Sequence, residues 1–366
     1  MSDLVVLRPE GLYCPAGDFH IDPWRPVERA VITHAHSDHA RAGHRHYLAA
    51  SPSAHVLRAR LGEIRLQTLD YGAALDIGGV RVSLHPAGHV LGSAQVRLAH
   101  RGTVWVVSGD YKAAPGFAAE DATCAPFEPV RCDAFISEST FGLPVYRWQP
   151  QARIADEINA WWAGNADAGR ASILYAYSFG KAQRILAMID ARIGPVYCHG
   201  ATEAVNAAYR ASGVALPPTL PAGAGVAADD RRRALVLAPP AAQGSAWARR
   251  FGEAADAFAS GWMQLRGARR RQGVDRGFVL SDHADWPGLE RAIAASGASR
   301  VILTHGQVAV MVRHLAAQGL DAQAFATEFA GEAGSAADAG AAAPGAAAGA
   351  PGAEVAAPAS PAATAA

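Results

Sequence analysis

Thr33-His34-Ala35-His36-Ser37-Asp38-His39 follows directly on the apolar run Ala30-Val31-Ile32, and the reading of the whole chain turns on it. Three histidines and an aspartate this close together, just past an expected strand, are poor packing side chains. Imidazole and carboxylate are the ligands zinc, manganese and iron prefer, and the i, i+2 spacing of His34 and His36 lets an extended segment aim both rings at one ion. Asp38 and His39 come where the chain is expected to turn into a helix, so they point to a second position nearby. The motif therefore suggests two metals. The competing reading is a chance cluster of solvated histidines.

His-x-His-x-Asp-His after an apolar strand resembles the metallo-β-lactamase superfamily, whose members are hydrolases with a one- or two-metal site. The resemblance implies an α/β fold, the αββα sandwich. It does not choose a substrate, since lactams, thioesters, phosphodiesters and redox substrates all occur on that scaffold. A two-metal hydrolase also needs a third histidine for the first metal, a bridging carboxylate and a last ligand for the second. His89 in the Gly-flanked loop Pro86–Ala94, Asp110 after Val104-Trp105-Val106-Val107, and His305 after Val301-Ile302-Leu303-Thr304 supply these at strand ends. Asp22, in His20-Ile21-Asp22-Pro23, is expected behind a ligand histidine, orienting it through its other ring nitrogen. A plain Asx-Pro turn is the alternative there. His20, His44, His46, His55, His85, His100, His199 and His314 lack such contexts and read as ordinary.

Three further stretches narrow the resemblance. Phe135-Ile136-Ser137-Glu138-Ser139-Thr140-Phe141-Gly142, Tyr177-Ser178-Phe179-Gly180-Lys181-Ala182-Gln183-Arg184 and Ser281-Asp282-His283-Ala284-Asp285-Trp286 are similar to motifs of the β-CASP nuclease branch, and the resemblance as a whole covers about residues 10 to 325. The resemblance implies that two metals on a bridging carboxylate hold a hydroxide that attacks a phosphodiester, with Asp38 and Asp110 in the catalytic set. It gives His283, held by Glu138, the task of protonating the leaving oxygen. A histidine titrates near neutral pH and an adjacent carboxylate favours its charged form. Ser178, Gly180, Lys181 and Arg184 lie where a strand gives way to a helix, so free backbone N–H groups and the cations are expected to hold phosphates. Lys112, two residues after Asp110, is a further candidate.

Length and composition set the frame. At 366 residues the chain is long enough for two domains, and 50% of it is apolar, though much of that is alanine. Of 33 basic residues only Lys112 and Lys181 are lysine, which reads first as the codon bias of a GC-rich genome. The formal net charge is zero, so no global field advertises a polyanion. Residues 261 to 276 are locally basic, with Arg266, Arg269, Arg270, Arg271 and Arg276 against Asp275, and Arg269, Arg270 and Arg271 are candidates for tracking a nucleic-acid backbone. Cys14, Cys124, Cys132 and Cys198 form no C-x-x-C pair and suggest a reducing compartment. The apolar start Leu4 to Leu7 is too brief for a signal peptide and no stretch reaches the length of a membrane span, so a soluble, cytoplasmic protein is expected.

Strand-length apolar runs dominate up to Val104–Ser108, in a sheet-rich α/β layer arrangement. From Ile154 helical spacing alternates with short strands such as Ser172 to Tyr177. This divides the chain into a first metallo-β-lactamase part at 1–143, an inserted β-CASP α/β lobe at 144–278, and a return at 279–330. Residues 331–366 are almost all Ala, Gly, Pro and Ser and are expected to be a disordered tail.

Two inferences about substrate pull apart. A histidine at the position of His305 resembles the RNA-acting members of the branch. The compact chain with Ser-Asp-His-Ala-Asp-Trp and Cys198-His199-Gly200 resembles the bacterial exonucleases associated with an ATP-dependent DNA ligase (mRNA 3′-end processing factor-like). The whole-chain likeness has the greater weight here, so the expectation is a two-metal exonuclease on single-stranded DNA ends, with a DNA ligase and helicase as functional partners. RNA 3′-end processing by the same site is the alternative, and a small-ester or lactam hydrolase a remoter one. Zinc suits the ligand set best, and manganese accepts it too.

Overall fold

The computed structural model describes residues 3–120, 122–223 and 228–329. The expected tail at 331–366 lies outside the described residues. Among the described residues the chain first builds a six-stranded sheet from β1 (Val6–Arg8), β2 (Gly11–Cys14), β3 (Phe19–Ile21), β4 (Arg29–Ile32), β5 (His46–Ala50) and β6 (Leu66–Leu69), side by side in chain order. Helix α1 (Ala54–Leu61) links the last two strands. A second sheet begins with the antiparallel meander β7 (Ala74–Ile77), β8 (Val80–Pro86), β9 (Ala94–His100) and β10 (Thr103–Val107), after which β11 (Ala134–Ser139) pairs parallel to β10.

The chain then leaves this sheet. Helix α2 (Gln151–Asp167), β12 (Ser172–Tyr175), α3 (Lys181–Met188), β13 (Val196–Cys198), α4 (Gly200–Ala211), β14 (Leu220–Pro221), α5 (Ala228–Arg233), β15 (Leu235–Ala238), β16 (Ala255–Ala259), α6 (Arg266–Gln272) and β17 (Arg276–Phe278) form a separate sheet, all parallel, in the order β14-β13-β15-β12-β16-β17. After α7 (Trp286–Ser296) the chain returns to the second sheet, where β18 (Arg300–Gly306) pairs parallel to β11, followed by α8 (Val308–Ala317) and the edge strand β19 (Asp321–Ala324).

Side-chain alternation decides the layering. Val31 of β4, Val107 of β10, Ile136 of β11 and Ile302 of β18 all point into one core between the first two sheets. Their neighbours point outward: Ala30 and Ile32 meet Val56 and Leu57 of α1, while Val106, Phe135, Val301 and Leu303 meet Leu289 and Ile293 of α7 and Met311 of α8. A strand apolar at every position is one buried on both faces, and the result is an αββα sandwich. In the all-parallel sheet Leu174 and Leu237 face α2 and α3, and Ile173 and Val236 face the opposite core with Phe251 and Met263. Among the described residues no helix is long and apolar enough to cross a membrane.

Candidate active site

The candidate ligands leave the same ends of neighbouring strands. Asp22 follows β3, the His34–His39 stretch follows β4, His89 follows β8, Asp110 follows β10, and Glu138 and His305 stand in the last residues of β11 and β18. The helix expected after His39 does not form. His36 O accepts from the N–H groups of His39 at 3.2 Å and Ala40 at 2.7 Å, closing a single turn, and the chain then runs out to β5. The close approach of two loops matters too. Gly109 has φ +57°, and a Cβ there would lie 2.6 Å from Thr33 Oγ1, so only glycine lets the Asp110 loop lie against the His34 strand.

Asp110 is the centre of the cluster. Its Oδ2 is 3.6 Å from His34 Nε2 and 3.8 Å from His89 Nε2, and its Oδ1 is 3.5 Å from His39 Nε2 and 3.2 Å from His305 Nε2. His36 Nδ1 lies 3.1 Å from His34 Nε2 and 3.0 Å from His89 Nε2. Asp38 Oδ2 stands 3.7 Å from His39 Nε2. One carboxylate thus faces two groups of imidazoles, one through each oxygen. His34, His36, His89 and Asp110 bring one ligand atom each within 4.8 Å of one another, as do Asp110, Glu138 and His305.

The outward-facing ring nitrogens show what the inward ones are for. His39 Nδ1 donates to Asp22 Oδ2 at 2.7 Å, His89 Nδ1 to the Asp282 carbonyl at 2.9 Å, and His36 Nε2 to the Phe179 carbonyl at 3.2 Å. His34 Nδ1 meets Thr33 Oγ1 at 3.0 Å, and that hydroxyl donates on to Asp22 Oδ2 at 2.5 Å. His305 Nδ1 meets Thr304 Oγ1 at 3.0 Å, whose own proton goes to Ser137 O. With the outer nitrogen of each ring carrying the proton, the inner nitrogen presents a lone pair. His39 Nε2, His305 Nε2 and Asp110 Oδ1 are buried with no hydrogen bond directed at them. Buried polar atoms without partners are costly, and a group of lone pairs converging on one space fits divalent cations.

The electrostatics divide this space into a side that favours positive charge and a side that does not. Burial opposes charge on His39, yet Asp110, Asp38 and Asp22 together outweigh it and hold its pKa up at about 10. Burial also opposes charge on Asp110, but His39, His283 and His305 pull its carboxyl well below the usual range. Burial, followed by the neighbouring imidazoles, pushes His34 and His89 well down. The pocket thus accepts positive charge on the Asp110–His39 side and keeps bare imidazoles on the other.

His283 stands at the rim of this group. Its Nδ1 lies 2.9 Å from Glu138 Oε2, and its Nε2 lies 4.0 Å from Asp110 Oδ2. Glu138 is fixed in turn by the Tyr111 N–H at 2.8 Å and by the Thr140 hydroxyl. Trp148 Nε1 donates to the His283 carbonyl at 2.9 Å, which ties the His283 loop to the residues just before α2.

Several residues expected to hold phosphates are placed otherwise. Lys181 and Arg184 are 1% and 2% exposed and face Asp282. The Gly180 N–H is not free: it donates to Gln183 Oε1 at 2.8 Å, so α3 is capped from within. Ser178 is half-buried, with its hydroxyl 3.3 Å from Thr202 Oγ1 and its carbonyl accepting from Gln183. Lys112 is buried with its ammonium 2.6 Å from Glu120. Arg269, Arg270 and Arg271 sit exposed on α6. Sequence reasoning missed Asp282, Thr33, Thr304 and Phe329, whose ring stacks on His39 with centroids 4.4 Å apart. Thr33 and Thr304 each precede a histidine at a strand end, a signal that was there to be read.

No family model matches the chain. It is 33% identical over 318 residues to an Opitutus terrae protein named Probable DNA ligase, covering 86% of this chain and 30% of that one. Over shorter stretches it is 29% identical to Endoribonuclease YSH1 of Yarrowia lipolytica, covering 34% of this chain and 15% of the relative, and 33% identical to Transcription termination factor FttA of Pyrococcus horikoshii, covering 39% and 23%. The chain therefore spans less than a third of the length of these relatives. A crystal structure of a protein of unknown function from Enterococcus faecalis V583 superposes with a TM-score of 0.55 at 11% identity, over 82% of this chain and 79% of that one, and shares its fold. Sandwich, site and relatives fit the β-CASP branch of the metallo-β-lactamase superfamily.

Proposed function

We propose that this protein is a two-metal nuclease that trims single-stranded DNA ends, acting with an ATP-dependent DNA ligase and a helicase in cytoplasmic repair. The observation that carries the nuclease reading is the buried pairing of His283 with Glu138 beside Asp110. His34, His36, His89 and Asp110 would hold one divalent ion and Asp38, His39, Asp110 and His305 a second, and such a pair supplies the charge that polarises a phosphodiester and acidifies a water. Zinc is the first choice for this donor set and manganese the second.

His283 gives its Nε2 proton to the departing oxygen of the sugar. Glu138 accepts the Nδ1–H, fixes the ring and stabilises the charged imidazole before transfer. Asp22 and Thr33 hold His39 and His34 in the orientation the centre needs. In this reading residues 144–278 are a lobe inserted into the nuclease domain formed by 1–143 and 279–330, and the exposed arginines of α6 track the strand.

The DNA preference is supported by the match to the protein named Probable DNA ligase, which runs through most of this chain. RNA 3′-end processing is the second reading, favoured by the relatives named endoribonuclease and by the histidine at 305. Matched end-labelled single strands of DNA and RNA, offered with zinc and with manganese to the wild type and to His283→Ala, decide between them. Trimming of DNA from one end, lost in the variant, supports the first reading; cleavage of RNA alone replaces it with the second.

A further inference from the structure

We infer that the turn Phe179–Arg184 of the inserted segment forms the outer half of the metal centre, with Arg184 as a positioning residue for His89 and His283. The inference rests in part on the nuclease reading above. Its grounds lie in two contacts that cross from α3 and the turn before it to the candidate ligands, and in a third, at Asp282, that links them.

The first is the Phe179 carbonyl, which takes the Nε2 proton of His36 at 3.2 Å and so turns Nδ1 toward His34 and His89. The second is the Arg184 guanidinium. It donates to the His89 carbonyl at 3.1 Å, to Asp282 Oδ1 at 2.9 Å and to Gln151 Oε1 at 3.0 Å, and it is 2% exposed. The third is Asp282 itself, whose carbonyl takes the His89 Nδ1 proton at 2.9 Å and whose neighbour in sequence is His283. Arg184, His89 and Asp282 therefore close a ring of bonds in which His89 is held through both its ring and its backbone.

A planar guanidinium suits this place because its fork serves three acceptors in fixed directions, which an ammonium cannot do. Lys181 Nζ, 3.8 Å from Asp282 Oδ2, adds charge on the other carboxylate oxygen. Gly180 allows the close approach: its φ is +88° and a Cβ would meet Val90 Cγ1 at 2.3 Å, beside His89. Two of the three histidines grouped around Asp110 Oδ2 are thus oriented by the inserted segment. If that segment shifts, both rings lose their acceptors or anchors together, and the loop bearing His283 moves with them.

The test uses the full chain with Arg184→Gln, Arg184→Lys and Asp282→Asn. Zinc and manganese affinities are measured by competition with a chromophoric chelator, and kcat and KM on a labelled strand at several salt concentrations. Arg184→Gln is expected to weaken metal binding about 10–100-fold and to lower kcat about tenfold or more, with KM and its salt dependence within twofold of wild type. Arg184→Lys recovers part of the loss. Asp282→Asn, which keeps every backbone contact, shifts metal affinity in the same direction and stands in should Arg184→Gln not fold. Wild-type metal affinity in Arg184→Gln or Asp282→Asn, or a rise in KM with a salt slope lowered by about one phosphate contact, overturns the inference. The metal titration needs no substrate, so a wild type that cuts no nucleic acid would sink only the nuclease reading.

Discussion

Glu138 holds His283 by a contact of 2.9 Å to Nδ1 while also accepting from Tyr111 N, Thr140 N and the Thr140 hydroxyl, so one buried carboxylate serves four donors. An amide cannot serve all four. Glu138→Gln is expected to lower kcat by roughly 10²–10⁴-fold with little change in metal content, because the imidazole loses its orientation and its charge partner. Steady-state cleavage with metal analysis of the same preparation checks this; an unaltered kcat would remove His283 from proton transfer.

Metal removal has a structural consequence as well as a catalytic one. Five imidazoles and two aspartates crowd one space, with the buried atoms His39 Nε2, His305 Nε2 and Asp110 Oδ1 lacking hydrogen bonds. Ions that bind only the folded chain stabilise it by mass action. Dialysis against a chelator is expected to abolish cleavage and lower the melting temperature, and added zinc or manganese to restore both. Calorimetry showing no shift would argue against a resident metal.

Gly109→Ala probes the packing behind the site. The new methyl falls 2.6 Å from both Cβ and Oγ1 of Thr33 at a backbone φ of +57°, so Thr33 must yield and the His34–Thr33–Asp22 relay with it. A loss of about 1–3 kcal/mol in stability is expected, together with weaker metal binding. Denaturant titration of metal-free protein separates the two effects.

His44 gives a pH dependence away from the metal cluster. Burial lowers its pKa from the ordinary 6.5 to about 4, its Nδ1 accepts from Val27 N, and its Nε2 is buried without a partner. Above pH 6.5 the ring is neutral in both folded and unfolded chains and imposes no penalty. As pH falls from 6.5 to 4 the unfolded chain takes up the proton while the folded one does not, so stability drops across that window and levels below it. Melting curves of wild type and His44→Gln from pH 7.5 to 4 are expected to converge toward the acid end; parallel curves would rule His44 out.

The arginines of α6 make a separate claim. Alanine at Arg269, Arg270 and Arg271 is expected to weaken strand binding and reduce the salt slope by up to about 2, at roughly 0.7 per phosphate contact on a single strand. Fluorescence anisotropy from low to high salt measures it. Binding unchanged at every salt concentration would take α6 out of the nucleic-acid path.

The fold was legible where alternation and strand-end chemistry coincide. The Ala30–Ile32 run, apolar at every position, forms a strand covered on both faces, and the polar residues after it converge with His89, Asp110 and His305. What escaped is what depends on contacts distant in sequence. Lys181 and Arg184 look like phosphate ligands at a helix start, and only the fold brings Asp282 against them. Phe329 stacks on His39 from the far end of the described chain, and nothing in its local sequence marks it. The expected helix after His39 failed because a local pattern could not reveal that the chain had to cross to β5.

The pairing of β11 with β18 also sets an order of assembly. These neighbours meet in parallel register, Phe135 beside Val301 and Ile136 beside Ile302, only after the intervening chain has been made. A contact so distant in sequence is slow to form, and the long excursion between the partners is easier to close once it has compacted into its own all-parallel sheet. On the ribosome the early strands must therefore wait with one edge unpaired until the chain beyond residue 300 emerges. His305 rides on that late strand, so the candidate ligands cannot all meet until the chain past it has emerged.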